Sequence, residues 1–351
     1  MIIFSSLHKS ETLLTYYCRT YHNPGGIMQH TKQQDEEFIR VWKELGSPTL
    51  VAKHFGMNPR SVLNKRAAIQ IKHNIELPTH NSQRDPKKEK PKKVEMAAHN
   101  VRRGIDIDKV KRVIVFSDAH FTDTPTTAFK ALLKFIKKYK PEVIICNGDA
   151  FDGQVLSRFP SINYDQKPTV LEELNACRWH LDEIEKIRPA GCRLIWTLGN
   201  HDMRYESWLV NKVPEYSGVD GFSLKYHFPN WETCWSFWIG EETVVKHRFK
   251  GGRTAGYSNL QAAGNTNIIT GHTHVLCTSP ISNYQGTFWG IQTGCLADPM
   301  SPTFEYCEDG PKDWRSGFVM LSFAQGRMLM PEMVMVCGEG EVEFRGEILD
   351  V

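Results

Sequence analysis

Residues 113–120 read Val113-Ile-Val-Phe-Ser-Asp118-Ala-His120, an apolar, largely β-branched run that stops at a carboxylate and an imidazole. Such a run predicts a buried strand, and open α/β sheets collect their ligands beyond the carboxyl ends of strands. The pattern recurs downstream. Val143-Ile-Ile-Cys-Asn leads into Gly148-Asp149-Ala-Phe-Asp152, and Leu194-Ile-Trp-Thr-Leu leads into Gly199-Asn200-His201-Asp202. Val244-Val-Lys leads into His247, and Asn267-Ile-Ile-Thr into Gly271-His272-Thr-His274. Any one of these is an ordinary turn or a satisfied core histidine. Five in order, each at a predicted strand end, are not.

The residue types indicate the chemistry. Side chains alternate along a strand, so Asp118 with His120, and His272 with His274, share a side if extended geometry persists. Carboxylate oxygens and imidazole nitrogens without thiolates suit Mn²⁺, Fe²⁺, Co²⁺, Ni²⁺ or Zn²⁺ rather than a soft copper site. The glycines before Asp149, Asn200 and His272 permit a sharp turn and the close backbone approach of a crowded centre.

Outward from these strands, 126–139 and 170–187 carry amphipathic helical patterns, and 109–116, 142–146 and 193–198 read as strands, an alternation that predicts an α/β domain. After Trp231 the helical signal fades. Short strand-like runs at 243–246, 267–270, 286–292, 317–323 and 333–337 predict a second sheet packed on the first. Trp208, Trp231, Trp235 and Trp238 read as core residues or as stacking platforms for bases at the mouth of a site.

With these motifs in place, residues 113–274 resemble the calcineurin-like metallophosphoesterase superfamily, whose pattern is Asp-x-His, Gly-Asp-x-x-Asp, Gly-Asn-His-Asp/Glu, a later His, and Gly-His-x-His. The resemblance implies a four-layer α/β/β/α sandwich over 106–351 with a dimetal site, manganese being the first expectation. It implies that Asp118, His120, Asp149 and His274 bind one ion and that Asp149, Asn200, His247 and His272 bind the other, Asp149 bridging. His247 is preferred to His227 because it ends a β-branched run. His201 is implied as general acid or charge stabiliser, with Asp202 orienting its imidazole and Asp152 supporting the metal shell or that histidine. Two ions about 3.5–4 Å apart lower the pKa of a shared water and neutralise phosphoryl oxygens, so the implied activity is phosphate-ester hydrolysis by a bridging hydroxide.

Upstream the chain changes character. Residues 1–34 show no clear period and read as a tail, or as the product of an upstream start codon with Met28 the alternative start. From Asp35 to residue 77 three short helices are predicted. The first carries Phe38, Ile39, Trp42 and Leu45, with Asp35, Glu36 and Glu37 at its positive end. The second follows Ser47-Pro48 with Leu50, Val51 and Phe55 inward, and the third follows Asn58-Pro59 with Val62, Ala68 and Ile69 inward. The pattern is helix-turn-helix-like, with Arg60, Ser61, Asn64, Lys65 and Arg66 as candidate nucleic-acid contacts; a helical bundle that binds only protein is the alternative. Residues 78–105, with Arg84 and Lys87, Lys88, Lys90, Lys92 and Lys93, read as a basic flexible linker, either a solvated tether or a phosphate-tracking arm.

Composition sets the outer bounds. In 351 residues, 40% hydrophobic, there is no run of about 20 apolar residues and no signal-peptide pattern. Nine scattered cysteines without a Cys-x-x-Cys pair predict reduced thiols rather than disulfides or a zinc ribbon. The expectation is a cytoplasmic enzyme with no membrane partner, with DNA engaged through residues 35–103. Gly148-Asp149-Ala-Phe151-Asp152 resembles the form in the DNA-repair exonuclease branch, which points to a nucleic-acid phosphodiesterase or nuclease. A phosphomonoesterase for nucleotides or phosphoproteins, and a DNA-binding regulator with a non-catalytic phosphoesterase domain, are the alternatives.

Overall fold

The computed structural model describes residues 31–78, 99, 102–159, 164, 167–308, 310 and 312–351. The expected tail up to residue 30 and most of the basic linker lie outside the described residues. Two compact units emerge, dividing between residues 93 and 94. No helix among the described residues is long and apolar enough to cross a membrane, and their cysteines are all unpaired.

The N-terminal unit consists of α1 (Lys32–Leu45), α2 (Pro48–Phe55) and α3 (Pro59–His73). Helix α1 starts three residues before the expected Asp35, because Gln34 Oε1 reaches back 3.0 Å to the Thr31 N–H and satisfies an orphan donor of the first turn. Gly46 (φ 54°) and Gly56 (φ 61°) end the first two helices in the left-handed region. The Asn58 side chain caps α3, accepting the Arg60 N–H at 2.9 Å. Phe38, Trp42, Val51, Val62, Ile69 and Leu77 form the core. One expectation is corrected. Leu50 and Ala68, expected inside, are exposed, since three short helices enclose a core only on their narrow inner stripes. Asp35 does lie in the first turn of α1, and there it is buried and paired with Lys72 Nζ (2.7 Å) and His73 Nε2 (3.0 Å) of α3.

In the second unit, β1 (Arg103–Ile105), β2 (Arg112–Phe116), α4 (Thr127–Tyr139), β3 (Val143–Cys146), α5 (Val170–Ile187) and β4 (Arg193–Thr197) come first. Then follow α6 (Asp202–Lys212), α7 (Leu224–His227), β5 (Glu232–Cys234), β6 (Phe237–Ile239), β7 (Thr243–Val245), α8 (Ala255–Ala263), β8 (Asn267–Thr270), β9 (Leu276–Asn283) and β10 (Gly286–Thr293). The chain closes with β11 (Gly317–Ala324), β12 (Arg327–Met328), β13 (Glu332–Gly338), β14 (Glu341–Phe344) and β15 (Glu347–Asp350). One sheet runs β15-β14-β13-β11-β2-β3-β4-β5 with β12 beside β11; the other runs β1-β6-β7-β8-β10-β9.

This topology corrects two boundaries. The 317–323 and 333–337 runs do not join the second sheet: β11 pairs antiparallel with β2 and extends the first one. Residues 103–105 are not linker, because β1 lies parallel to β6 with Arg103 opposite Phe237. Both partners are chosen by distant strands, so no local period announces them.

Strand alternation builds the layers. Ile114, Phe116, Ile144, Cys146, Leu194 and Trp196 face α4 and α5, packing on Phe129, Leu132, Leu181 and Ile184. Their neighbours Val113, Val115, Val143, Ile145 and Ile195 face the other way, onto Ile239, Val245, Ile269 and Ile291 of the second sheet. Leu260 of α8 covers that sheet's outer side with Val244, Ile268 and Phe288. The result is a four-layer α/β/β/α sandwich. Strands buried on both faces read as continuous apolar runs, which is why they were visible in the sequence.

Candidate metal centre

Strands β2, β3, β4, β7 and β8 stop at Phe116, Cys146, Thr197, Val245 and Thr270, and each candidate ligand lies in the loop just beyond. Extended geometry does not persist into those loops. Asp118 (φ 51°), His120 (41°), Asp149 (54°), His272 (71°) and His274 (58°) all take the left-handed backbone, so the shared side expected of Asp118 and His120 comes from a turn rather than from a strand. Neighbouring loops hold the turns: Asp118 N–H donates to Gly148 O (2.9 Å) and His120 N–H to Asp149 O (3.0 Å). Left-handed non-glycine residues cost roughly 1–2 kcal/mol each, and such strain collects at functional sites.

The glycines are required by contact. A Cβ on Gly199 would lie 2.0 Å from Asp149 Oδ1, one on Gly148 (φ 83°) 2.3 Å from His247 Nδ1, and one on Gly271 2.8 Å from Asp118 Oδ2. Only a bare backbone lets these loops converge.

Two triads result, Asp118–His120–His274 and Asp149–His247–His272, each with ligand atoms within 4.8 Å of one another. A third group, His120–Asp152–His201, adjoins the first. Asp118 accepts the His272 N–H at 2.9 Å, and Asp149 Oδ1 accepts the His201 N–H at 2.8 Å. His247 Nδ1 bonds Asn147 O (2.7 Å), which turns Nε2 toward Asp149 Oδ2, 3.0 Å away but without hydrogen-bond alignment. His227 is elsewhere, bonded to Gly221 O at 2.8 Å.

The residues present fit a pair of cations. Both ring nitrogens of His120, His247 Nε2, His274 Nδ1 and Asn200 Oδ1 are buried without a hydrogen-bond partner. Leaving such atoms unmet costs about 1–3 kcal/mol each, which a divalent ion would offset. The electrostatics agree. Burial would raise the Asp118 and Asp149 carboxyls, yet the histidines around them hold both below the ordinary carboxylate value. Burial would lower His247, but the charges of Asp149 and Asp118 push it up to about 10. A pocket that attracts a proton this strongly also attracts a metal cation.

Asp202 was expected to orient His201, and here the reading is corrected. Its oxygens accept the backbone N–H groups of Gly199 (2.7 Å), Asp149 (2.9 Å), Ala150 (3.0 Å) and Phe151 (3.1 Å), and the Trp196 indole (2.9 Å). Asp202 therefore ties two ligand loops together. Burial, with the charge of Asp149, pushes its carboxyl up to about 6 despite those donors. The residue that orients the imidazole is Asp152, whose Oδ1 lies 2.5 Å from His201 Nδ1. Burial would lower the His201 pKa, but its bond to Asp152 and the charges of Asp149 and Asp152 raise it. Arg204 completes the group, donating to Asp152 O at 3.0 Å with Nη2 3.2 Å from His201 Nε2.

Phe304 and Trp314 went unassigned in the sequence. The Trp314 ring lies 4.3 Å from that of His274, and Phe304 meets His120 (5.4 Å) and His274 (5.3 Å), walling the first triad. No motif marks them, because they approach through an irregular segment far along the chain. Cavities open on two flanks. One of roughly 1050 Å³ lies beside His120; the other, roughly 600 Å³, lies beside Asn200 and His247.

Of the candidate nucleic-acid contacts on α3, Arg60, Ser61 and Asn64 are exposed. Lys65 and Arg66 instead fold onto their own unit: Lys65 Nζ lies 5.3 Å over Phe38, while Arg66 donates to Leu77 O (2.7 Å) and stacks 4.9 Å over Trp42. Their long aliphatic stems cover the rim of a small core.

Residues 111–275 match the family model described as calcineurin-like phosphoesterase. The Gene 54 proteins of Mycobacterium phages D29 and L5 are each 25% identical to the chain, covering 69% of it and 99% of their own length. Among solved structures, wild-type Vps29 complexed with zinc from Entamoeba histolytica is 14% identical, with TM-score 0.37 over 68% of this chain and 98% of that one. YfcE, a phosphoesterase from E. coli, is 16% identical, with TM-score 0.30 over 63% of this chain and 97% of that one.

Proposed function

We propose that this chain, whose residues 111–275 belong to the calcineurin-like phosphoesterase family and make it a metal-dependent phosphoesterase, hydrolyses phosphodiester bonds of nucleic acid. The observation that carries the reading is the pairing of two oxygen- and nitrogen-donor triads with an Asp152–His201–Arg204 group at their edge. Asp118, His120 and His274 would hold one divalent ion and Asp149, Asn200, His247 and His272 the second, with Asp149 shared and manganese the leading choice. Bound there, the ions supply Lewis-acid charge for the phosphoryl oxygens and activate a water.

The chain's own residues do the rest. Asp152 fixes the His201 ring through Nδ1 and favours its protonated form, and with Arg204 Nη2 turned from Nε2 to a phosphoryl oxygen, Nε2 is free to give a proton to the departing oxygen. Arg204 puts a permanent cation beside Nε2, suited to a phosphoryl oxygen. Asp202 keeps the Asp149 and Gly199 loops in register. The nucleic-acid substrate is supported by the three-helix N-terminal unit, whose capped α3 exposes Arg60, Ser61 and Asn64.

The test compares bis-p-nitrophenyl phosphate, p-nitrophenyl phosphate and labelled DNA in added Mn²⁺ and in chelator. Metal-dependent turnover of the diester and DNA is expected. Turnover of the monoester alone would replace this reading with a phosphomonoesterase.

A further inference from the structure

The two flanks of the metal centre differ in charge. The cavity beside His120 includes Asp123, Asp298 and Glu339 against one cation, Lys130. The cavity beside Asn200 and His247 includes Lys246 and Arg248 and no carboxylate. A polyanion is repelled by the first lining and drawn to the second.

Lys246 and Arg248 flank His247 in the chain, so the loop that delivers a candidate metal ligand also delivers both cations. Lys246 is half-buried, and among the described residues no carboxylate pairs with either of them. The Lys246 ammonium instead lies 4.9 Å over the Phe249 ring, an arrangement that leaves its charge available. The same cavity is lined by Trp235, which is 40% exposed although it is a large aromatic. An edge contact with His99 (5.8 Å, 77° between planes) steadies it. Of the other tryptophans in this stretch, Trp231 is buried in the core and Trp208 does not line the cavity. Two unpaired cations and a steadied aromatic surface beside a phosphoryl-transfer centre match an anionic backbone and a base.

We propose that this cavity is a subsite for the nucleotide adjoining the scissile phosphate, with its base stacked on Trp235 and its own phosphate held by Lys246 and Arg248. The assignment rests on the phosphodiesterase reading and gives that reading a direction: the strand leaves the metal centre on the Asn200 and His247 side.

The test uses the full-length protein with a thymidine trinucleotide and bis-p-nitrophenyl phosphate in parallel, comparing Trp235→Ala, Trp235→Phe and the double variant Lys246→Met/Arg248→Gln with the parent. Stacking on one base is worth about 1–3 kcal/mol, so Trp235→Ala is expected to raise KM for the trinucleotide about tenfold. The double variant does the same, and in both the loss on the trinucleotide exceeds that on bis-p-nitrophenyl phosphate by about tenfold. Trp235→Phe keeps a ring and recovers most of the loss. Fluorescence anisotropy of a labelled trinucleotide with metal-free protein is expected to show the same order of affinities. Equal losses on both substrates, or an unchanged trinucleotide KM, overturn the subsite. A parent protein that hydrolyses p-nitrophenyl phosphate but neither diester overturns instead the function on which it rests.

Discussion

Asp152 Oδ1 lies 2.5 Å from His201 Nδ1 and 3.3 Å from His120 Nδ1, so one buried carboxylate links the His201 ring to a member of the first triad. His201 is held by a residue three positions after the Gly148-Asp149 turn, not by its own chain neighbour Asp202.

A proton donor matters most when the leaving group is poor. His201→Ala is expected to retain metal and to lose roughly 10²–10⁴-fold in turnover of an alkyl phosphodiester, with a much smaller loss on nitrophenyl esters. Asp152→Asn follows the same leaving-group trend more weakly. Equal losses across leaving groups, measured by steady-state kinetics, would remove His201 from the acid role.

Asp149 and Asp202 predict opposite phenotypes. Asp149→Asn weakens the carboxylate proposed to be shared by the two ions and is expected to lower metal content at both positions, by roughly 100-fold in affinity, while the fold persists. Asp202→Asn sets an amide against five N–H donors and is expected to destabilise the domain by about 2–4 kcal/mol, visible in thermal unfolding before any metal is added.

Gly199→Ala places a methyl 2.0 Å from Asp149 Oδ1, with Asp149 N at 2.6 Å, in a region that cannot give way. Loss of metal binding is expected, with destabilisation of about 1–3 kcal/mol. Gly191→Ala is the control: nothing lies within 4 Å of its Cβ, so only the strain of φ 77°, about 1 kcal/mol, is expected. Calorimetry and metal analysis on both variants read the difference.

In the N-terminal unit, Asp35 bonds His73 and Lys72, and these hold its carboxyl below the ordinary value. A depressed folded-state pKa means stability that is present above the unfolded value, about 4, and lost as pH falls through the folded one. Protection of the α1 to α3 amides against hydrogen exchange, relative to their intrinsic rates at each pH, is therefore expected to fall between pH 4 and more acidic conditions, and Asp35→Asn is expected to show reduced protection already at neutral pH.

A fragment Val94–Val351 removes the whole N-terminal unit and keeps β1. It is expected to bind metal and turn over bis-p-nitrophenyl phosphate at nearly the full-length rate, yet to bind duplex DNA more weakly and with a shallower salt dependence. Each phosphate contact removed lowers the log–log slope by about 0.9. The same affinity and slope for both proteins would show that Arg60, Ser61 and Asn64 do not anchor DNA.

Where local chemistry dictates the outcome, the sequence was enough. The runs 113–116 and 143–146 are apolar on both faces because both faces are covered, and the polar residues after them had to lie at strand ends. The need for Gly148, Gly199 and Gly271 was equally legible, since each directly precedes a candidate ligand, Asp149, Asn200 or His272, where a sharp turn and close backbone approach are required. What the sequence could not hold was the choice of distant partners. Pairing of β11 with β2, the entry of β1 beside β6, and the arrival of Phe304 and Trp314 against His120 and His274 depend on contacts between residues far apart in the chain. The left-handed turns at Asp118 and His120, and the turning of Asp202 onto two ligand loops while Asp152 holds His201, belong to the same class. A hydrogen bond goes to whichever donor the packed loops bring within reach, and that is settled only when the two sheets close on each other.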